Sequence, residues 1–374
     1  MVPNLRFNND PYKKYNLYEF ATRVTRKNKD NVSNLPLTIS AQYGLVDQVS
    51  FFNKTVASKD MSGYYLLKNG EFAYNKSYSN DYPWGAIKRL DLYDMGCLST
   101  LYICFKTNDN IVNSNYLVHY FESSKWHKQV ADIAGEGARN HELLNIVVND
   151  FFNTKHAVPT IENQIKIAGF LDLIEKRIQT QIKIIADYNS LKIGIYNWMF
   201  KENYADYKLK QLAYIVKGDQ INNDQLLSNG SYYMMNGGTS PSGYLDSYNV
   251  SENTISISEG GNSCGYVQFN SSPFWSGGHC YTIQNVNSAL IENKYLYHYL
   301  KHKEKEIMNL RIGTGLPNIQ KKDLENFTIF VPSLLIQRKN LALFEMLDEK
   351  ICILNEELER LEMQKKYLLR NMFI

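Results

Sequence analysis

The 374-residue sequence has no hydrophobic run long enough to cross a membrane. One of its longest apolar stretches, residues 165–174, is interrupted by Lys166 and Asp172 and falls short of the roughly 18 to 20 apolar residues that a membrane helix needs. The first residues, Met1 to Arg6, lack the apolar core and small-residue cleavage site of a secretion signal. The sequence therefore predicts a cytoplasmic protein with no membrane partner.

Cysteine and net charge are also low. The five cysteines are an odd number at irregular spacings, which fits neither a disulfide framework nor a CxxC zinc site. A formal net charge of +3 is too small to indicate a nucleic-acid partner without local evidence. The composition, 44% hydrophobic and 21% charged, is sufficient for two or three domains with their own cores.

Motifs of catalysis are missing as well. There is no GxxxxGK[ST] loop, and the Gly-x-Gly pairs at residues 135–137 and 313–315 lack the third glycine of a dinucleotide loop, so we interpret them as turns. His298 and His302 are four residues apart, but Tyr299 stands where HExxH has glutamate. The sequence predicts no catalytic residue and no metal site.

An internal repeat is the most informative feature that is present. A shift of 173 positions superimposes residues 145–200 on residues 318–373 without a gap. Identical positions include Asn145/Asn318, Asp150/Asp323, Val158/Val331, Pro159/Pro332, Gln164/Gln337, Ile178/Ile351, Met199/Met372 and Phe200/Phe373. Upstream, residues 116–120 match 295–299, and residues 15–21 match 207–213. This pattern predicts a tandem duplication whose middle parts, roughly residues 30–110 and 222–290, have diverged.

Each repeated segment carries the period of a long helix. After Pro159 and after Pro332, apolar residues recur at alternating spacings of three and four, which is typical of a coiled coil. Each helix would have about 40 residues and a length of ~60 Å. Since an exposed apolar stripe is unfavourable, we expect the two helices to pair in antiparallel orientation. The predicted spacer residues are Leu171, Ile174, Ile178, Ile185, Ile195, Met199, Phe344, Leu347, Ile351, Leu354, Leu358, Leu361, Leu368 and Met372.

The remaining sequence predicts an α+β fold with an internal pseudo-two-fold repeat. Short alternating runs such as residues 70–74 and 254–258 are bounded by glycine and asparagine turns, which favours strands. Helices are expected at residues 114–134 and 293–310. We predict two mixed α/β variable domains, residues 1–144 and 206–317, alternating with two helical regions, residues 145–205 and 318–374.

Several strings in this arrangement resemble one known family. They are Gly137-Ala138-Arg139-Asn140-His141, Val158-Pro159-Thr160-x-x-x-Gln164, Gly313-Thr314-Gly315-Leu316-Pro317-Asn318, Val331-Pro332-x-x-x-x-Gln337 and the terminal Met-Phe pairs. Together with the repeated heptad helices, they closely resemble the DNA-specificity subunit of type I restriction-modification enzymes. The resemblance covers essentially the whole chain, and its most specific part is the repeated Gly-x-Gly, Val-Pro and Gln run before each long helix.

This resemblance implies a function and a set of partners. Each variable domain would be a target recognition domain that reads half of a split sequence in double-stranded DNA. The helices would hold the two domains apart and dock two methyltransferase subunits, and restriction subunits would join the full complex. S-adenosylmethionine would bind to the methyltransferase partner, whereas this chain would bind no cofactor and would not be an enzyme.

The candidate DNA contacts are residues that can form hydrogen bonds with base edges, pair with phosphates or stack on bases. In the first domain they are Tyr43, Tyr74, Asn75, Lys76, Ser77, Tyr78, Trp84, Lys88 and Arg89. In the second domain they are Asn236, Ser258, Glu259, Asn262, Ser263 and Tyr266. Glu259 could accept a hydrogen bond from cytosine N4 or serve only as a turn carboxylate, and Trp84 and Trp275 could belong to the core or to the contact surface.

Two other function classes stay open on sequence alone. One is a freestanding DNA methyltransferase with degenerate motifs, since Asp10-Pro11-Tyr12 and Ser272-Pro273-Phe274 resemble an amino-methyltransferase signature without its second proline. The other is a bivalent glycan-binding or protein-binding module that uses tyrosine-rich β loops. Methylation of DNA by the purified chain alone would favour the first, and binding that is insensitive to salt and to added duplex would favour the second.

Overall fold

A computed structural model describes residues 12–40, 43–79, 82–134, 143–200, 204–313, 315 and 317–373. The chain forms two compact units: unit 1 contains Met1–Gln181 and Glu357–Ile374, and unit 2 contains Ile182–Glu356. Each unit therefore includes one half of each long helix. In the part of the chain that the structure describes, no helix is both long and apolar enough to cross a membrane. The domain bounds given above remain predictions.

Unit 1 is a mixed α/β unit whose main sheet has four antiparallel strands. Its elements, in chain order, are β1 (Lys13–Asn16), α1 (Leu17–Phe20), β2 (Ala21–Arg23), β3 (Leu37–Ser40), β4 (Gly44–Asp47), α2 (Gln48–Phe52), β5 (Tyr65–Lys68), β6 (Phe72–Asn75), β7 (Ala86–Arg89), β8 (Met95–Leu98), β9 (Ile103–Thr107), α3 (Ser114–Glu122), α4 (His127–Ile133), α5 (Val148–Phe152), β10 (Lys155–Val158) and the first part of α6 (Ile161–Met199). The main sheet has the order β2-β9-β6-β7, and β1 pairs with β10, β3 with β4, and β5 with β8.

The core of unit 1 lies where the sheet meets the helices. Phe72 on β6 stacks on Phe105 on β9 with ring centroids 5.3 Å apart. The C-terminal Phe373 reaches the same core and lies 5.3 Å from the ring of Tyr116 on α3. The terminal Met-Phe pair of the second repeat is thus a packing element of unit 1, because burial of these large side chains stabilises the fold.

Unit 2 repeats this plan. Its elements are the second part of α6, β11 (Ala205–Lys208), α7 (Leu209–Leu212), β12 (Tyr214–Lys217), β13 (Tyr232–Met235), β14 (Gly243–Leu245), β15 (Thr254–Ser258), β16 (Val267–Asn270), β17 (Trp275–Ser276), β18 (Cys280–Gln284), α8 (Asn293–His302), α9 (Glu304–Met308), α10 (Lys321–Glu325), β19 (Thr328–Val331) and α11 (Leu334–Asn371), whose last part belongs to unit 1.

The sheets of unit 2 match those of unit 1. The main sheet has the order β12-β18-β15-β16, in which each strand corresponds to one of β2-β9-β6-β7, and β11 pairs with β19 as β1 pairs with β10. Unit 2 also has a three-stranded sheet, β14-β13-β17, without a counterpart among the described residues of unit 1. The predicted internal repeat and the α+β class are therefore confirmed, and the additional sheet lies within the stretch predicted to have diverged.

The two long helices run antiparallel within each unit. In unit 1, Arg177 of α6 bonds Glu357 of α11, while Glu175, earlier in α6, bonds Lys365, later in α11. In unit 2 the same reversal places Lys192 against Asp348 and Tyr196 against Phe344, whose ring centroids are 4.6 Å apart. The helices have 39 and 38 residues, close to the predicted length. All fourteen predicted spacer residues are buried or half-buried, so the antiparallel pairing is confirmed.

The helices predicted at residues 114–134 and 293–310 are each broken in two. The break between α3 and α4 falls at Ser123, whose backbone is extended and whose hydroxyl donates to the Tyr120 carbonyl over 2.6 Å. Serine side chains compete in this way for backbone groups, which ends helices. The apolar period continues across the break, and so the sequence pattern did not reveal it.

Candidate nucleic-acid interface

In both units several of the candidate contact residues lie on the connection between the third and fourth strands of the main sheet. This connection runs from β6 to β7 in unit 1 and from β15 to β16 in unit 2. Gly85 lies directly before β7 and Gly265 lies two residues before β16, and their φ angles are 75° and 92°. A side chain at Gly85 would overlap the Asn75 carbonyl, so this turn requires glycine.

Tyr74 lies inside the core rather than on this surface. Its ring stacks on Phe151 at a centroid distance of 5.0 Å, and its hydroxyl donates to the Trp84 carbonyl over 2.8 Å. Burial raises the pKa of the Tyr74 phenol. Because its side chain is inaccessible, we remove Tyr74 from the candidate contacts. Trp84 is half-buried and packs against the same core.

The residues after Tyr74 come to the surface. The Asn75 side chain accepts from the Ser77 amide over 3.0 Å, which shapes the start of the loop. Lys76 accepts at its carbonyl from the Leu144 amide over 2.9 Å, and this bond holds the loop to the segment that leads into α5. Ser77 is exposed, while Asn75, Lys76 and Tyr78 are half-buried. These four residues form one continuous surface segment.

Lys88 and Arg89 have partners within the protein. Lys88 pairs with Glu122 over 3.3 Å. Arg89 pairs with Asp91 over 2.7 Å and also donates to Ser114 and Asn115, so that it holds β7 against α3. Tyr43 is exposed beside the β3–β4 hairpin, in a sheet separate from the β6–β7 loop. The predicted set of the first domain is therefore divided between a surface loop, a structural network and a hairpin.

In the second domain, the structure brings Ser258, Glu259 and Asn236 together. Ser258 donates from its hydroxyl to the Gly237 carbonyl over 2.8 Å, and Asn236 accepts from the His279 amide over 2.9 Å. The Glu259 carbonyl accepts from the Ile319 amide over 2.9 Å, whereas the Lys76 carbonyl accepts from Leu144, whose counterpart under the 173-position shift is Pro317. Lys76 and Glu259 are each the first residue after the third strand of the main sheet, so they occupy equivalent positions and carry opposite charges.

Asn262, Ser263 and Tyr266 lie further along the same connection. Asn262 is exposed and Ser263 is half-buried. Tyr266 faces α8, where the ammonium of Lys301 lies 4.0 Å from its ring centroid. Trp275 is half-buried on β17 and its indole donates to the Asp219 carbonyl over 3.4 Å.

Sequence reasoning missed Lys217 and His279. The Glu259 carboxylate lies 2.5 Å from the Lys217 ammonium and 3.4 Å from the His279 ring nitrogen Nδ1. The signal that could have found His279 is the glycine pair before it, Gly277-Gly278, which marks a close backbone approach. Over the ranges that the structure describes, no three His, Cys, Asp or Glu side chains group as metal ligands would. The strings at residues 137–141, together with Thr314 and Leu316, lie outside the described residues.

Two copies of one mixed domain, joined to paired long helices and carrying different polar loops at one position, define a duplicated two-domain protein. Comparisons with known proteins find the same kind of architecture in type I specificity subunits. Residues 201–363 match the family model described as "Type I restriction modification DNA specificity domain". A putative type I specificity subunit of Mycoplasma pneumoniae is 34% identical over 158 residues, which are 42% of this chain and 42% of that protein.

Other relatives extend the comparison. A putative type I specificity subunit of Mycoplasma genitalium is 32% identical over 34% of this chain and 33% of its own length. The alignments with these two curated relatives thus span less than half of either relative. The crystal structure of the type I restriction-modification S subunit from M. genitalium matches the fold over 100% of this chain and 99% of that one, with a TM-score of 0.64 and 18% identity. The similarity in sequence to type I specificity subunits thus covers less than half of this chain, whereas the similarity in fold to the M. genitalium S subunit covers all of it.

Proposed function

We propose that this chain is the sequence-specific DNA-binding subunit of a type I restriction-modification complex. Each target recognition domain reads half of a bipartite target in double-stranded DNA, and the paired helices set the spacing of the halves. The observation that carries the proposal is the equivalence of Lys76 and Glu259. Each is the first residue after the third strand of its main sheet, yet one side chain is a cation and the other an anion.

Opposite charges at equivalent positions suit two domains that read different half-site sequences. In the major groove, a lysine donates to guanine acceptors, whereas a carboxylate accepts from an amino group or orients a neighbouring donor. A shared scaffold with different loops would present different donors and acceptors to DNA in the same pose. The match of residues 201–363 to a type I restriction modification DNA specificity domain supports the same role.

The proposed partners are two methyltransferase subunits, joined by restriction subunits in the full complex. Leu173 on α6 and Met346 on α11 are equivalent in the repeat, and their exposed fractions are 66% and 67%. Large apolar side chains this exposed commonly mark interaction surfaces when they belong to a patch. Because each unit presents one of them, we propose two equivalent docking surfaces. This chain would be non-catalytic, with S-adenosylmethionine bound to the methyltransferase.

A gel-shift titration at physiological salt, with and without the methyltransferase subunit, tests the proposal. A net charge of +3 is small for the many phosphate contacts of a tight complex. We therefore expect nanomolar, sequence-specific binding only when the partner is present. Specific binding by the isolated chain would contradict the dependence on partners, and the absence of specific binding by the full complex would contradict the function itself.

The docking surfaces can be tested separately with Leu173→Glu and Met346→Glu. We expect each single substitution to reduce the number of bound methyltransferase subunits from two to one, and the double substitution to abolish binding, as measured by native mass spectrometry. Ile193→Glu is the matched control, since Ile193 is exposed to 58% but its counterpart in the repeat is Lys366. Unchanged stoichiometry in the double variant would place docking elsewhere.

A further inference from the structure

A buried carboxylate in unit 2 holds two exposed polar side chains that sequence analysis did not select. The Glu259 side chain is 11% exposed, whereas those of Lys217 and His279 are 51% and 60% exposed. The carboxylate oxygen Oε1 accepts from the Lys217 ammonium over 2.5 Å and from the Tyr281 hydroxyl over 3.3 Å. The other oxygen, Oε2, lies 3.4 Å from His279 Nδ1 and has no hydrogen bond among the described residues.

The backbone of His279 is fixed from both sides. Its amide donates to the Asn236 side chain over 2.9 Å, and its carbonyl accepts from the Glu259 amide over 2.9 Å. The loop before it also packs tightly, since a Cβ at Gly277 would lie 2.7 Å from Asn236 Oδ1. Gly237 approaches from the neighbouring loop, and a Cβ there would lie 3.2 Å from His279 Cβ. A backbone fixed in this way gives the imidazole a defined origin, which suits base reading more than a contact with a phosphate, which carries no sequence information.

The chemistry of the cluster follows from its charges. Because Oε2 faces Nδ1, the tautomer that suits this pair carries its proton on Nδ1 and leaves Nε2 as an acceptor. The Lys217 ammonium has three donors, of which Glu259 uses one. The cluster therefore offers donors and one acceptor at neighbouring exposed positions. A G·C pair presents the complementary set in the major groove: guanine N7 and O6 accept, and cytosine N4 donates.

We propose that Lys217 and His279 are specificity-determining residues that read a G·C pair in the second half-site, and that Glu259 is the positioning residue that orients both. The inference rests on the proposed DNA-reading function. It also changes the role first considered for Glu259: the buried carboxylate would act through Lys217 and His279 and would not itself meet cytosine.

The test uses the complex of the full chain with its methyltransferase and a DNA library randomised in the second half-site. We expect His279→Ala to relax the requirement at one G·C pair about tenfold or more while the first half-site is still read normally. Lys217→Ala should weaken discrimination at the same pair. Glu259→Gln should also weaken discrimination at this pair. In the background of His279→Ala, Glu259→Gln should have little further effect, because a positioning residue acts through the residue that it positions.

Controls separate the outcomes. Glu252→Gln changes an exposed carboxylate of the same unit and should leave the selected sequences unchanged. His279→Gln keeps a polar side chain and serves as the second variant if His279→Ala does not fold. The inference is overturned if the variants select the same second half-site as the natural chain, or if the relaxed position is an A·T pair. If the natural complex itself selects no sequence, the proposed function fails instead.

Discussion

Gln164 and Gln337 make the same three hydrogen bonds in the two halves of the chain. Gln164 accepts from the Asn113 amide and donates to the carbonyls of Pro159 and Ile111. Gln337 accepts from the Glu292 amide over 2.8 Å and donates to the carbonyls of Pro332 and Leu290 over 2.8 and 2.9 Å. Each glutamine thereby ties the start of a long helix to the residues just before α3 or α8, which gives the Val-Pro and Gln run a structural role.

Replacement of Gln337 by alanine should therefore destabilise the chain. The substitution leaves one amide and two carbonyls without their partner in the interior, and we expect a loss of ~3 kcal/mol in the free energy of unfolding. Chemical denaturation measures it. Gln364→Ala, at an exposed position of the same helix, is the control and should change stability by less than about 0.5 kcal/mol. Equal stability of the two variants would show that these bonds do not secure the helix.

The lysines in the helix seam should set its register. Lys192 pairs with Asp348, and the equivalent Lys365 pairs with Glu175 over 2.7 Å. A polar residue in an otherwise apolar seam is tolerated only where it meets its partner. A double-mutant cycle of Lys192→Ala and Asp348→Ala should give a coupling of about 0.5–1 kcal/mol, and the exposed pair Lys166 and Glu162 should give less. Equal coupling energies in the two cycles would show that these lysines do not set the register of the helix pair.

Stability should fall in mild acid because of a buried histidine. Burial lowers the pKa of His156 from 6.5 to about 4. As the pH falls, the unfolded chain therefore binds this proton before the folded chain does. The stabilisation that comes from neutral His156 is complete above pH 6.5 and is lost between pH 6.5 and about 4, which lowers the free energy of unfolding by about 3 kcal/mol.

Replacement of His156 by glutamine should flatten this pH dependence, as thermal unfolding between pH 7 and pH 4 would show. Thr154 bonds the His156 ring over 2.8 Å. Thr154→Val should lower stability but keep the dependence on pH, because the titrating group remains. An unchanged slope in His156→Gln would mean that other groups cause the acid sensitivity.

The helices were predictable from sequence because a 3-4 spacing depends only on neighbours along the chain. Ile178 and Leu354 were assigned to the seam in this way, and both are buried. The partners of Lys192 and Lys365 were not assigned, since they follow from the register of the antiparallel pair. A repeat shows that two helices are alike but does not fix which residues face each other.

The candidate site was less predictable. Tyr74 is predicted as a DNA contact because it belongs to a basic, aromatic cluster, but three successive residues of β6, Phe72 to Tyr74, are buried and the usual alternation is lost. His279 and Lys217 meet Glu259 only through strand pairing: β18 pairs with both β12 and β15. Contacts of this kind depend on tertiary structure and leave no local pattern in the sequence.

The spacer role of the helices leads to a length prediction. Deletion of residues 178–184 together with 351–357 removes one heptad from each helix, keeps the apolar stripes in phase and shortens the pair by about 10 Å. The shortened protein should fold and prefer a central gap smaller by about three base pairs, at ~3.4 Å per pair. Selection from targets of varied spacing measures this. Deletion of four residues from one helix should instead destabilise the protein, and full methylation of the original target by the shortened protein would refute the spacer role.

The central claim is that two domains read two half-sites independently, and a domain exchange tests it most directly. Residues 30–110 are replaced by the corresponding residues of another specificity subunit, and the methylated sequences are mapped with the methyltransferase present. We predict that one half of the recognised sequence changes and the other stays the same, and that an exchange of residues 222–290 has the reverse effect. A change in both halves after either exchange would show that the domains read one continuous site and would contradict the account.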